Sequence, residues 1–193
     1  TTNVKRPSNF QLSTFDYNIS MTQKHITIYT DGSAIGNPGP GGYGVVLRYG
    51  EHVRELSGGF RRTTNNRMEI LAAIKALQAL KEPCAVTLHS DSQYLVDAIN
   101  KGWTKRWQAQ DWMRNKKERA LNVDLWQQLL PLLEKHDVTF VWVRGHVGNP
   151  DNERCDVLAK QAAAQQNLPP DEVYEAEQAA RTAQPLLTQV SIH

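Results

Sequence analysis

Cysteine is scarce in this chain. There are two in 193 residues, Cys84 and Cys155, too few for a disulfide framework. Neither has a cysteine or histidine at zinc-ligand spacing, so both read as reduced thiols in or near the core. Long apolar runs are missing too. No stretch could span a bilayer, and the opening residues TTNVKRPSNFQLSTF hold no apolar segment of signal-peptide type. These absences argue against a membrane protein and lead us to expect a cytoplasmic one. The chain begins at Thr1 without an initiator methionine, as a trimmed or processed chain would. No internal repeat is visible. An excess of one charge sign is lacking as well: 22 Lys and Arg stand against 20 Asp and Glu, net +2, so total charge identifies no partner. What remains is an ordinary globular composition, 40% hydrophobic and 22% charged, at a length that suits one domain with a sizeable core.

The charge is unevenly spread. Lys101 to Ala120 holds seven basic and two acidic residues, an excess of five, with Trp103, Trp107 and Trp112 between them. A charge run alone is usually a solvated helix face. Basic and aromatic residues together suit a nucleic-acid backbone. From Leu168 onward the balance reverses, with one basic and four acidic residues.

Periodicity predicts the order of elements. Residues 1–24 are polar and aperiodic, a flexible tail. HITIYT reads as a strand and runs into the Gly/Pro loop DGSAIGNPGPGG. YGVVLRYG and HVRELSGGF form an antiparallel hairpin turning at Gly50. A long helix follows, capped by Thr64 or Asn65, with an apolar stripe of Met68, Leu71, Ile74, Leu77 and Leu80, and stopped before Pro83. CAVTLHS is a fourth strand and SQYLVDAIN a helix ended by Gly102. Trp103 to Lys117 is expected to be helical. VDLWQQLLPLLEKH is a further helix, in which Pro131 predicts a kink or break. DVTFVWV is a fifth strand. The last helix starts at Pro150, is capped by Asn149 and runs to about Gln165. The fold class is therefore α/β: a five-stranded mixed sheet, three antiparallel strands then two parallel, flanked by helices. The domain is set at 25–167, with 168–193 as an extension that has room for one short helix from Asp171 to Ala183.

Acidic residues stand where strands stop. Asp31 follows ITIYT, and Asp91 follows AVTLHS. If those strands are parallel neighbours, the two carboxylates lie side by side at the sheet end where ligands bind. Bare carboxylates at that range repel unless a proton or cation lies between them, and Mg²⁺ prefers carboxylate oxygen. Each residue alone has a simpler reading: Asp31-Gly32 as a turn, Asp91-Ser92 as a helix cap, Glu69 as a charge complementing a helix dipole, Asp156 as a polar residue in the last helix.

The blocks TDGSAIGNPGPGGYG, TTNNRMEILAAIKAL, SDSQY, NVDLW and WVRGHVGNPDNERCDVLA, in this order and spacing, resemble the type 1 ribonuclease H of bacteria. The resemblance spans roughly His25 to Gln165. It implies that Asp31, Glu69, Asp91 and Asp156 are metal-binding carboxylates and that His146, in the loop Gly145-His146-Val147-Gly148, moves protons or aids product release. It implies two Mg²⁺ ions, with Mn²⁺ the alternative, that clamp the scissile phosphate and leave 3′-hydroxyl and 5′-phosphate ends. The substrate would be the RNA strand of an RNA–DNA hybrid. Asn37, Asn65, Asn66 and Gln93 would read its minor groove, where the 2′-hydroxyl marks RNA. Arg48 and Thr64, with Asn37, would form a pocket for a DNA phosphate. Asn122 and the segment with Trp103 and Trp107 would add further contacts. A monomer is expected. The competing readings are another nuclease or recombinase of the same fold, or a module that holds hybrid without cutting it. Loss of a metal carboxylate would mark such a module, and all four are present.

Overall fold

The structure is a computed structural model in which residues 23–145 and 148–183 are described. His25–Ala34 forms β1, Gly39–Tyr49 forms β2 and His52–Thr63 forms β3. β1 continues beyond Thr30 because Asp31 to Ala34 stay paired with β2, so part of the expected Gly/Pro loop is strand and only residues 35–38 connect β1 to β2. β1, β2 and β3 pair antiparallel, and the β2–β3 turn falls at Gly50, whose φ of 54° is a left-handed conformation that favours glycine. Ala85–Ser90 (β4) and Asp137–Trp142 (β5) add in parallel, giving the sheet order β3-β2-β1-β4-β5. The expected class of fold is the one observed.

Helix α1 (Asn65–Gln78) is capped by Thr64, whose hydroxyl accepts from the Arg67 N–H. It is buried on nearly all sides, from Arg67 through Leu77 except Lys75, so its apolar surface is wider than the stripe in the sequence. It crosses one face of the sheet. Helices α2 (Gln93–Asn100) and α4 (Val123–Lys135) complete that core, around Trp126. Helix α5 (Pro150–Ala163) packs on β2 and β1, where Val46, Cys155 and Leu158 form a second, smaller cluster. Both cysteines are buried and free.

Two expectations are corrected. Helix α3 (Trp103–Ala109) does not reach Lys117. Asp111 and Trp112 take positive φ values of 51° and 62°, Trp112 is buried, and Met113 bridges Arg119, so the chain doubles back to bury an indole. Burial of one large aromatic outweighs helix propensity here. The predicted break at Pro131 is absent, and α4 runs through it. Pro131 and Gln127, the residue whose carbonyl loses its partner, are both exposed, so water can satisfy that carbonyl. Residues past 168 also join the fold. Asp171 is buried, and its carboxylate accepts from Thr63 Oγ1 at 2.8 Å and Arg67 Nε at 2.7 Å. Asp124 takes the other side of the same guanidinium at 2.9 and 2.7 Å. Burial alone would lower the Arg67 pKa, but the two carboxylates outweigh it and hold the guanidinium above its ordinary range. Helix α6 (Glu172–Ala183) follows, seated by Tyr174 under Arg67 and by a two-bond Arg61–Glu175 pair. No helix among the described residues is long and apolar enough to cross a membrane.

Candidate active site

Glycines set the site's depth. A Cβ on Gly32 would lie 2.3 Å from the Glu69 nitrogen, so only glycine lets β1 approach the α1 backbone this closely. That approach brings Glu69 against Asp31, one residue before Gly32. On the other face, Gly44 pairs with Asp31 across the β1–β2 ladder, and a Cβ there would meet the Cys155 carbonyl oxygen at 2.1 Å. Helix α5 therefore lies directly on the sheet, and Asp156 comes with it.

Asp91 follows β4, whose parallel register with β1 matches Thr30 with Ser90. Ser92 caps α2 by accepting from the Leu95 N–H, so the cap reading of this segment holds for Ser92 and leaves Asp91 free for another role. Asn152 Nδ2 donates to Asp91 Oδ2 at 3.3 Å, and Trp142 Nε1 donates to the Asp91 backbone carbonyl at 3.1 Å. A Cβ on Gly145 would lie 2.7 Å from Asp91 Oδ2, so the loop passes tightly over this carboxylate.

Asp31, Glu69 and Asp91 each present a ligand atom, all within 4.8 Å of one another. Asp31 and Glu69 are buried. Burial, then the charges of Asp91 and Asp156, push the Asp31 carboxyl up to about 7. Burial, then Asp31 and Asp91, push Glu69 well above its ordinary value, and Glu69 Oε2 has no hydrogen-bond partner. A largely buried set of hard oxygen ligands with mutual repulsion and one unsatisfied oxygen is what a divalent hard cation relieves, so these residues fit Mg²⁺. Asp156 stands outside the three-residue cluster. Its carboxylate accepts from Lys160 Nζ at 2.8 Å, one turn along α5, yet it is near enough for its charge to raise Asp31. His146 lies outside the described residues.

The substrate-contact candidates fall into separate places. Asn37, Thr64, Asn66 and Asn122 line one groove of about 380 Å³ at the N-terminus of α1. Asn37 Oδ1 also accepts from the Asn65 N–H. Gln93 is exposed at the first turn of α2, beside Asp91. Arg48 is not in that groove, so the expected grouping of Arg48 with Thr64 is corrected. Thr63 pairs with Gly39 at one end of β2, while Arg48 lies nine residues away, roughly 30 Å along an extended strand. There Arg48 binds Asp151 through two 2.6 Å hydrogen bonds. Trp107 is corrected too. It is 5% exposed and packs on Trp126 at 6.2 Å, so its ring belongs to the core. Trp103 remains partly exposed, under Lys101. The sequence reading missed Asn152 and Gly145 as parts of the site. Asn152 had a signal, since it precedes Asp156 by four residues and so shares its helix face.

Comparison with known proteins agrees with this geometry. The family model described as RNase H matches residues 23–164. A ribonuclease H of Syntrophus aciditrophicus (strain SB) is 68% identical over 152 residues, which are 79% of this chain and 88% of the relative. One from Desulforamulus reducens is 65% identical over 148 residues, 77% of this chain and 93% of the relative. Among solved structures, LC9-RNase H1, a type 1 RNase H with the type 2 active-site motif, superposes with a TM-score of 0.68 at 31% identity, covering 76% of this chain and 75% of that one. LC11-RNase H1, solved in complex with an RNA/DNA hybrid, gives a TM-score of 0.56 at 27% identity, covering 72% and 96%. With its fold, its carboxylates and most of its length accounted for, the chain belongs to the ribonuclease H family.

Proposed function

We propose that this chain is an endonuclease that hydrolyses the RNA strand of RNA–DNA hybrids and leaves 3′-hydroxyl and 5′-phosphate ends. The observation that carries the reading is the cluster of Asp31, Glu69 and Asp91, three carboxylates from β1, α1 and the residue after β4 whose ligand atoms lie within 4.8 Å of one another. Asp31, Glu69 and Asp91 hold Mg²⁺ there, with Asp156 as the fourth carboxylate; Mn²⁺ is the alternative ion. Bound in that site, the metal supplies positive charge at the scissile phosphate and lowers the pKa of the attacking water. The protein's part is placement. Asn152 fixes the Asp91 carboxylate, and the Gly32 contact holds Glu69 against Asp31. His146 exchanges a proton with the reacting groups or assists product departure, a role that histidine side chains commonly fill.

Asn37, Asn65, Asn66 and Gln93 read the minor groove, where amides can both donate to and accept from a 2′-hydroxyl. Thr64 and Asn122, on the groove beside α1, hold a phosphate of the DNA strand. The exposed cations of residues 101–119 extend that surface, with Trp103 among them. We read the protein as a cytoplasmic monomer. The test is a hybrid labelled on its RNA strand and titrated with Mg²⁺, beside double-stranded DNA and double-stranded RNA. Metal-dependent cutting of the hybrid alone is expected. Hybrid binding without cleavage at any Mg²⁺ or Mn²⁺ concentration would make the chain a binding module.

A further inference from the structure

The family model stops at residue 164, so α6 lies outside the matched segment. It is nevertheless fixed in place. Asp171, just before it, is buried between Thr63 and Arg67, Tyr174 is buried under the same guanidinium, and Glu175 binds Arg61 through two hydrogen bonds of 3.0 and 2.6 Å. Tyr174, Glu177 and Arg181 recur at intervals of three and four, so they share one face of the helix. That face runs from the buried anchor onto open surface. There, Glu177 and Arg181 line the groove that holds Thr64, Asn66 and Asn122. They also line a neighbouring groove of about 580 Å³ formed with Arg114, Arg119 and Asn122. Asn122 and Arg181 thus stand at the junction of the two.

The charges across these grooves favour a polyanion. Arg114 is neutralised by Glu118. Among the described residues, neither Arg119 nor Arg181 has an ion-pair partner, and Glu177 is the one carboxylate left to oppose them. A cation with a long stem, on a rigid helix, beside an amide and a hydroxyl, is a suitable phosphate ligand. We propose that α6 is part of the substrate-binding face, and that Arg181 contacts a phosphate of the hybrid's DNA strand next to the one held by Thr64 and Asn122. Resting on the function proposed above, this adds a binding residue from outside the family segment. Glu177, in the same grooves, limits the affinity by repelling the same backbone. The C-terminal stretch, acidic in total, would then present its single arginine to the substrate.

The experiment is hybrid binding by the full chain across a salt series, with Ca²⁺ in place of Mg²⁺ to prevent cutting. Arg181→Ala should weaken binding roughly two- to fivefold, the range of one exposed ion pair. It should also lower the slope of log K against log salt by about one unit or less. Arg181→Lys should keep the wild-type slope, and Glu177→Gln should tighten binding. Arg54→Ala removes an exposed cation from β3 and controls for total charge. A hybrid whose DNA strand carries uncharged methylphosphonate linkages should erase the Arg181→Ala penalty. Asn122→Ala separates the two readings. If it weakens binding while Arg181→Ala equals wild type, α6 is no part of the face and the proposal falls alone. If the Arg181→Ala penalty persists on the uncharged strand, or Arg54→Ala matches it, the DNA-phosphate contact is wrong. If wild type does not bind hybrid, both readings fall.

Discussion

Arg67 and Glu69 lie two residues apart on α1, about 200° around the helix, and each is buried in a cluster of charges. Around Arg67 the charges are opposite and satisfied: Asp124 and Asp171 supply four hydrogen bonds of 2.7 to 2.9 Å. Around Glu69 they are alike: Asp31 and Asp91 lie within 4.8 Å, and no basic side chain among the described residues pairs with any of the three. Desolvating a charge is expensive in both places. On one side of the helix the protein offsets that cost internally, which fixes α4 and the C-terminal helix to the core. On the other side no opposite charge among the described residues offsets it, which leaves that part to a cation. The second arrangement weakens the bare fold and creates affinity for a divalent cation, a site where stability is given up for function.

If the contrast is sound, removing a charge should have opposite consequences in the two clusters. The largest effect is expected from Asp31→Asn, which should cut hybrid cleavage at saturating Mg²⁺ a thousandfold or more, about 4 kcal/mol of barrier. The metal-free variant should melt at or above the wild-type temperature, because it removes a repelling charge. Cleavage within tenfold of wild type would remove Asp31 from the site, and a large drop in melting temperature would mean that the cluster is structural. Arg67→Ala should do the reverse. It strands Asp124 and Asp171 without a cation and should cost about 3–5 kcal/mol in denaturant unfolding. Adding Asp124→Asn and Asp171→Asn should recover part of that loss. A triple variant no better than the single one would show that packing, rather than stranded charge, dominates.

Acid dependence sharpens the same comparison. Burial first, then Asp91 and Asp156, raise Asp31 from 3.8 to about 7, and burial with Asp31 and Asp91 raises Glu69 as well. Between about pH 4 and 7 the folded, metal-free state keeps a proton on Asp31 that the unfolded chain has released. Stability should therefore fall as pH rises through that window, by an amount on the order of a few kcal/mol, and level off above it. On the proposed function Mg²⁺ would bind the deprotonated carboxylates, so it should raise the melting temperature more at pH 8 than at pH 5. Equal stabilisation at the two values would show that these carboxyls are already ionised without metal.

Much of this was legible in the sequence because it is local. Thr64, Ser92 and Asn149 are caps, Asp91 directly follows β4, and Asp31 stands just past Thr30, where the pairing of β1 with β4 stops, so both aspartates fall at one end of that pairing. The illegible parts depend on distant pairings. Asp171 meets Arg67 across 104 residues, and no local period announces it. The end of α3 at Ala109 follows from the burial of Trp112, which competes with a helix-compatible sequence. Arg48 was placed with Thr64 by resemblance, whereas strand register separates them by the length of β2. Pro131 obeys the helix rule in general and escapes it here because the carbonyl it leaves unpaired faces water.

Lys160 provides the smallest test and the one closest to the boundary between the two clusters. Its ammonium binds Asp156 at 2.8 Å, on the exposed side of α5, so the fourth carboxylate is partly neutralised where the other three are not. The pair spans one helical turn, with Lys160 open to solvent and Asp156 half-buried, the kind of contact that contributes about 1 kcal/mol or less to stability. Lys160→Met keeps most of the stem and removes the charge. It should leave unfolding within that limit, because no desolvated partner is stranded. It should also increase the negative potential over Asp31, Glu69 and Asp91 and free Asp156 to turn toward them. Divalent affinity, measured by calorimetry on the substrate-free protein, should therefore tighten by roughly twofold to fivefold. Weaker metal binding in Lys160→Met would reverse the interpretation: the ion pair would then be positioning Asp156 for the metal, and the satisfied and unsatisfied clusters would share a residue.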